Sequence, residues 1–181
     1  RHEQHGQLAA DHVQLGRPEA AGHRAAFAVA VAAGEQVDFA VAAAGGVVDK
    51  FIGDGAMAVF GLDSDLPTAC RAALRCAAMI RQNIGLMNEE LRKDMGLTID
   101  VGIGIHAGSA IIGQMGFAGH MSQTAIGDTV NVASRLEGVS KDLGAPIVVS
   151  HEIMSRQEQP AGELMAVSVT IRGRENGLVV Y

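Results

Sequence analysis

The sharpest patterning in the chain begins at Gly45. Val47 to Ile52 and Ala56 to Phe60 are short, largely apolar runs separated by Gly53-Asp54-Gly55. An Asp-Gly pair between β-type runs predicts a hairpin, because glycine accepts the positive φ that a tight turn needs. Further on, Cys70, Ala73, Leu74, Ala77, Ile80, Ile84, Met87 and Leu91 recur at helical spacing. They lay one apolar stripe along a helix from Pro67 to about Asp94, with Pro67 in the first turn and Gly96 at the end. Ile99, Val101, Ile103 and Ile105 then alternate with Asp100, Gly102, Gly104 and His106. That is the period of a strand. One of its faces is core, and the other is nearly bare, as where another backbone or a ligand comes close. Ala107-Gly108 predicts a turn into a second strand, Ala110 to Ile112.

A second helix is expected from Thr129, with Asp128 as N-cap, to about Gly144, with Pro146 beyond it. "PIVVS" and the terminal "VSVTIRGRENGLVVY" read as strands. Hairpin, helix, hairpin, helix and strands in this order predict an α+β fold, helices packed on a largely antiparallel sheet. The first 44 residues differ. They hold four of the seven histidines, no lysine, and the run "AAFAVAVAAGEQVDFAVAAAGG". Its periodicity is poor and predicts a loose helix or two. Residues 1–44 are therefore set apart as an atypical N-terminal segment, and 45–181 as the domain proper.

Composition narrows the function. With 181 residues, 48% of them hydrophobic and 19% charged, the chain suits one globular domain with a substantial core. A formal net charge of −6, no Trp and one Tyr argue against a nucleic-acid-binding surface or base-stacking platform. Cys70 and Cys76 lie too far apart along one helix to bridge, and predict core packing in a reducing compartment. No apolar run reaches a membrane span, since Gly34-Glu35-Gln36 and Asp38 interrupt the best one. A start at Arg1 reads as that of a fragment or excised domain, with a sensor or regulatory domain expected upstream and membrane attachment left open.

Three features bear on chemistry. Lys50 and Asp54 flank the apolar hairpin, either as a surface ion pair or as a place where a cation and an anionic ligand meet. Asn131 and Arg135, four apart, project from one helix face, either as a solvated face or as part of a site. Arginine suits phosphate oxygens, and asparagine can fix a neighbouring hydroxyl or ring oxygen. Gly102-x-Gly104 lies inside a strand and has no third glycine in place, which excludes a dinucleotide fingerprint.

"VVDKFIGDGAMAVFG", "VGIGIHAGSAIIGQMG" and "TAIGDTVNVASRLE", in this order and spacing, closely resemble the class III nucleotidyl cyclases, the adenylate and guanylate cyclase catalytic domain. The resemblance is strong over Gly45 to Val139 and weaker over the last strands. It implies a ferredoxin-like α+β unit that dimerises head to tail, with an active site between subunits. Asp54 matches a metal-binding aspartate of a site for two Mg²⁺ or Mn²⁺ ions. Arg135 matches the arginine that stabilises charge on the α-phosphate and Asn131 the asparagine that orients the ribose, both reaching across from the opposite subunit. Arg172 falls where the family usually has a phosphate-binding lysine. Lys50 matches an adenine-reading lysine. A lysine only donates, which suits N1 of adenine and conflicts with N1–H of guanine. Thr124 holds the partner position, where a hydroxyl can accept from the adenine amine or donate to guanine O6. The resemblance thus implies a cytoplasmic adenylate cyclase homodimer making 3′,5′-cyclic AMP and pyrophosphate from ATP in intracellular signalling. The alternatives are a guanylate cyclase, or a degenerate regulatory module that binds nucleotide without turnover.

One motif is missing. The family's first metal aspartate lies on its first strand, in an Asp-x-x-Gly-Phe-Thr-like motif that this sequence lacks. Asp11 stands at about the right distance before Asp54, either as that ligand or as a loop aspartate at a coincidental spacing. The change of character at Gly45 is what a shifted reading frame, or loss of the first strand and helix, would produce.

Overall fold

The computed structural model describes residues 23–31, 34–117, 120–158, 164–174 and 176–181; Asp11 lies outside them. Its central strand is β1 (His23–Val31), paired antiparallel on one side with β3 (Gly55–Phe60) and on the other with β4 (Ile103–Phe117). This corrects the helical expectation for "AAFAVAV". Ala25 to Ala30 are all buried, because Ala25, Phe27 and Val29 face one layer of core and Ala26, Ala28 and Ala30 the other. A strand covered on both faces has no apolar–polar alternation, and its alanines mimic a helix former. A strand and a helix thus precede the hairpin, the helix being α1 (Gly34–Ala43).

The predicted hairpin forms as β2 (Val47–Ile52) and β3, giving the order β2-β3-β1-β4. The expected turn at Ala107-Gly108 does not exist. Those residues sit opposite Ala26 and Ala25 in the β1–β4 ladder, and β4 runs on for 15 residues. Its second half pairs with β5 (His120–Ile126) and its first half, in parallel, with β6 (Ile147–Val149). A short helix, α4 (His151–Met154), follows, and β7 (Val167–Val169) with β8 (Leu178–Val180) makes a separate antiparallel pair.

α2 (Leu66–Met95) covers one face of the sheet along the predicted stripe, burying Cys70, Ala73, Ala77, Ile80 and Ile84. The Asp65 side chain accepts from the Thr68 N–H at 2.8 Å, and Gly96 closes the helix in the left-handed conformation. Cys70 and Cys76 are unbridged and buried, and burial pushes both thiols up to about 11. Both pack the core, as expected. No helix among the described residues is long and apolar enough to cross a membrane.

α3 (Asp128–Leu143) crosses the other face. The bare positions of β4 are where it does so. A Cβ on Gly104 would lie 2.2 Å from the Glu137 nitrogen and 2.3 Å from the Ala133 oxygen, both helix backbone. A Cβ on Gly108 would meet Thr129 Oγ1 at 2.7 Å, and that hydroxyl donates to the Ser109 carbonyl at 2.7 Å. The bare face of β4 thus admits another backbone, not a ligand.

Gly104→Ala is therefore expected to lower the free energy of urea unfolding by about 3 kcal/mol, because helix backbone cannot give way as a side-chain tip does. Gly113→Ala, on the same strand with nothing within 4 Å of the added carbon, should lie within about 0.5 kcal/mol of the parent. Equal effects would mean that α3 is not held by this contact.

Candidate functional site

The site begins at an irregularity in β2. Val48 pairs with Ala58 and Lys50 with Met57, so Asp49 is an extra residue opposite no partner. Side chains of consecutive strand residues ordinarily point to opposite faces, and a bulge relaxes that rule. Asp49 and Lys50 both reach Thr124 of β5. Lys50 Nζ donates to Thr124 Oγ1 at 2.5 Å and lies 3.2 Å from Asp49 Oδ2. Thr124 Oγ1 donates to Asp49 Oδ2 at 3.3 Å, and the Ala125 N–H donates to Asp49 Oδ1 at 3.0 Å. The Asp49 side chain is 3% exposed and that of Lys50 41%, so the carboxylate is internal while the ammonium still meets solvent. The partner of Lys50 is thus Asp49, and no ion pair joins Lys50 to Asp54 among the described residues.

A second group forms around α3. Asn131 is exposed and Arg135 half-buried, one turn apart. The turn carrying Arg172 comes up beside them. Gly173 abuts the Arg135 guanidinium, an added Cβ there lying 3.6 Å from Nη1. Arg172 itself is exposed. Arg174 donates to Asp128 Oδ2 at 2.6 Å, and this hydrogen bond holds the Asp128 carboxyl below its ordinary range. The pair explains why Asp128 is not the N-cap. Gly127 is, and Asp128 opens the helix with its carboxylate turned to Arg174.

Asp54 stands apart, exposed at the β2–β3 tip. β1, beside it, places Val31 and Ala30 opposite Gly55 and Ala56 and carries no acidic residue along its length. Among the described residues no group of three or more His, Cys, Asp or Glu is placed to hold a metal ion. Asp54 can offer one carboxylate to a divalent cation, but the described residues do not make up a site for two.

Sequence reasoning passed over Asp49 and Arg174. Asp49 was visible only as a charge beside Lys50, and the bulge that turns it inward leaves no signal in the spacing. The order Arg172-Gly173-Arg174 is a signal for a basic turn, though not for its seat beside Arg135.

His106 of β4 lies nearby, buried, with Nδ1 2.8 Å from Ser150 Oγ and 3.6 Å from Glu152 Oε2. Burial holds its pKa below the ordinary 6.5, Glu152 and Asp128 opposing and Arg174 adding to the effect. The folded protein therefore favours neutral His106. Its contribution is fully present above about pH 6.5 and is lost as pH falls below that, where the unfolded chain binds the proton first. Urea unfolding at about pH 7.5 and 5.5 is expected to show lower stability at the acid end. That difference should shrink in His106→Gln; an unchanged difference would place its origin elsewhere.

Comparison with known proteins gives a consistent result. A family model described as "Adenylate and Guanylate cyclase catalytic domain" matches residues 39–179. An adenylate cyclase of Anabaena cylindrica is 37% identical over 143 residues, 75% of this chain and 28% of that protein. The chain thus spans under a third of that relative's length. The adenylyl cyclase CyaB from P. aeruginosa superposes with a TM-score of 0.73 at 23% identity, over 88% of this chain and 94% of that one. The guanylyl cyclase Cya2 superposes with a TM-score of 0.73 at 18% identity, over 88% and 90%. These two establish likeness of fold.

Proposed function

This chain belongs to the adenylate and guanylate cyclase catalytic domain family, and on that footing we propose that it converts ATP to 3′,5′-cyclic AMP and pyrophosphate at a site shared by two copies. The observation that carries the reading is the bond between Lys50 and Thr124, which brings a donor and a hydroxyl 74 residues apart onto one edge. Lys50 meets N1 of the base and Thr124 its 6-position. On α3, Asn131 orients the ribose and Arg135, with Arg172 from the adjoining turn, faces the phosphates. The 3′-oxygen attacks the α-phosphorus, the bond to the β-phosphate oxygen breaks, and pyrophosphate leaves. Arginine is suited to the charge that grows on the α-phosphate because its fork stays protonated and matches phosphate oxygens.

A head-to-tail homodimer brings Asp54 of one copy to the α3 residues of the other. Apolar side chains are available to such a contact: Phe51 and Ile52 are 53% and 61% exposed beside Lys50, and the paired Ile111 and Ile126 are 59% and 47% exposed. The Anabaena relative extends well beyond the matched stretch, which supports a regulatory domain beside this one in the whole protein. Among the described residues Asp54 is the carboxylate that would meet the divalent ions the family resemblance implies.

A second reading rests on a specific observation. β1 carries no acidic residue beside the hairpin, which favours a nucleotide-binding module without turnover. Cyclic AMP and cyclic GMP measured with ATP and GTP, under Mg²⁺ and under Mn²⁺, separate the two. The cyclase reading expects cyclic AMP; nucleotide binding with neither product would favour the module. In an active protein Arg135→Ala should lose roughly 10²–10³ in turnover with a smaller change in KM, whereas equal losses in both would contradict a role in the transition state. Mixing Asp54→Ala with Arg135→Ala chains should restore activity above either alone. No restoration would count against a shared site.

A further inference from the structure

Thr124 left base choice open, because a hydroxyl can give or take a hydrogen bond. The neighbours in the structure remove that freedom. The hydroxyl has one proton and two lone pairs. Lys50 can only donate, and its ammonium occupies one lone pair at 2.5 Å. Asp49 is the acceptor that the described hydrogen bonds give to the hydroxyl proton, at 3.3 Å. The same carboxylate cannot turn away, because its other oxygen is tied to the Ala125 N–H at 3.0 Å.

We infer that Asp49 is a positioning residue that fixes the direction of the Thr124 proton and so makes this site select adenine over guanine. The inference rests on the nucleotide reading above and adds to it a determinant of specificity that does not touch the base. With its proton committed to Asp49, Thr124 shows a base only a lone pair. Lys50, bound to Asp49 and Thr124, keeps its third N–H for the ligand. The site thus presents a donor at N1 and an acceptor at the 6-position. Adenine offers an acceptor and an amine donor there, while guanine offers a donor and an acceptor, the reverse. Guanine could satisfy the two groups only by exchanging their places, which turns the base over relative to the ribose.

The amide variant tests this directly. In Asp49→Asn the oxygen stays on the Ala125 N–H and the NH₂ faces Thr124, so the hydroxyl proton is released toward the base. The ratio of dissociation constants for fluorescent N-methylanthraniloyl GTP and ATP, read by titration, should fall roughly tenfold from the parent value. A merely structural loss would weaken both nucleotides alike and leave the ratio unchanged. Thr124→Val removes the hydroxyl and keeps the Asp49–Ala125 bond, and should lower the ratio comparably. Asp49→Asn added to Thr124→Val should change it no further, and Thr124→Ser should keep the parent ratio. Turnover is measured in parallel. Binding with these ratios but no cyclic product would leave the inference standing and sink the cyclase reading. Cyclic AMP formation with an unmoved ratio in Asp49→Asn would do the opposite. Failure of the parent to bind either nucleotide would overturn the inference as well.

Discussion

One internal carboxylate links two otherwise separate parts of the sheet. Asp49 ties the β2–β3 hairpin to the β4–β5 arm through the Ala125 N–H, the Thr124 hydroxyl and the Lys50 ammonium. A buried carboxylate without such partners would be strongly destabilising, so its position specifies theirs. It brings a cation that still meets solvent and a buried hydroxyl to one spot and holds them there. The proposed base recognition depends on that tie.

The group on α3 depends on a different constraint, the closeness of backbones. Gly104 has no side chain because the α3 backbone occupies the place of one. The Thr129 hydroxyl pins the start of the same helix to β4. Asn131 and Arg135 therefore ride on a helix whose distance from the sheet is set by main-chain atoms. In the proposed reaction such a rigid base helps them meet a triphosphate, because little ordering remains to be done when the ligand arrives.

Much of this was legible in the sequence, for identifiable reasons. The α2 stripe, the Asp-Gly hairpin and the period-two run into β4 each bury one face, and a one-faced element leaves its period in the chain. β1 does not, since both faces are covered and its small residues carry no alternation. The continuity of β4 was hidden too, because Ala107-Gly108 has turn composition while its neighbours in space, not in sequence, keep it extended. At the site, Lys50 and Thr124 were each visible as candidates. Their contact was not, for it depends on a bulge that inserts one residue without altering the local pattern. Helical spacing puts Asn131 and Arg135 on one face, but it was the family resemblance, not the spacing, that singled them out as candidates.

The most direct measurement is a crystal structure of the protein with a non-cyclisable ATP analogue. Adenine N1 is expected at Lys50 Nζ, the 6-amine at Thr124 Oγ1, and the α-phosphate against Arg135. A base seated away from the Lys50–Thr124 pair, with Asp49 still holding both, would contradict it.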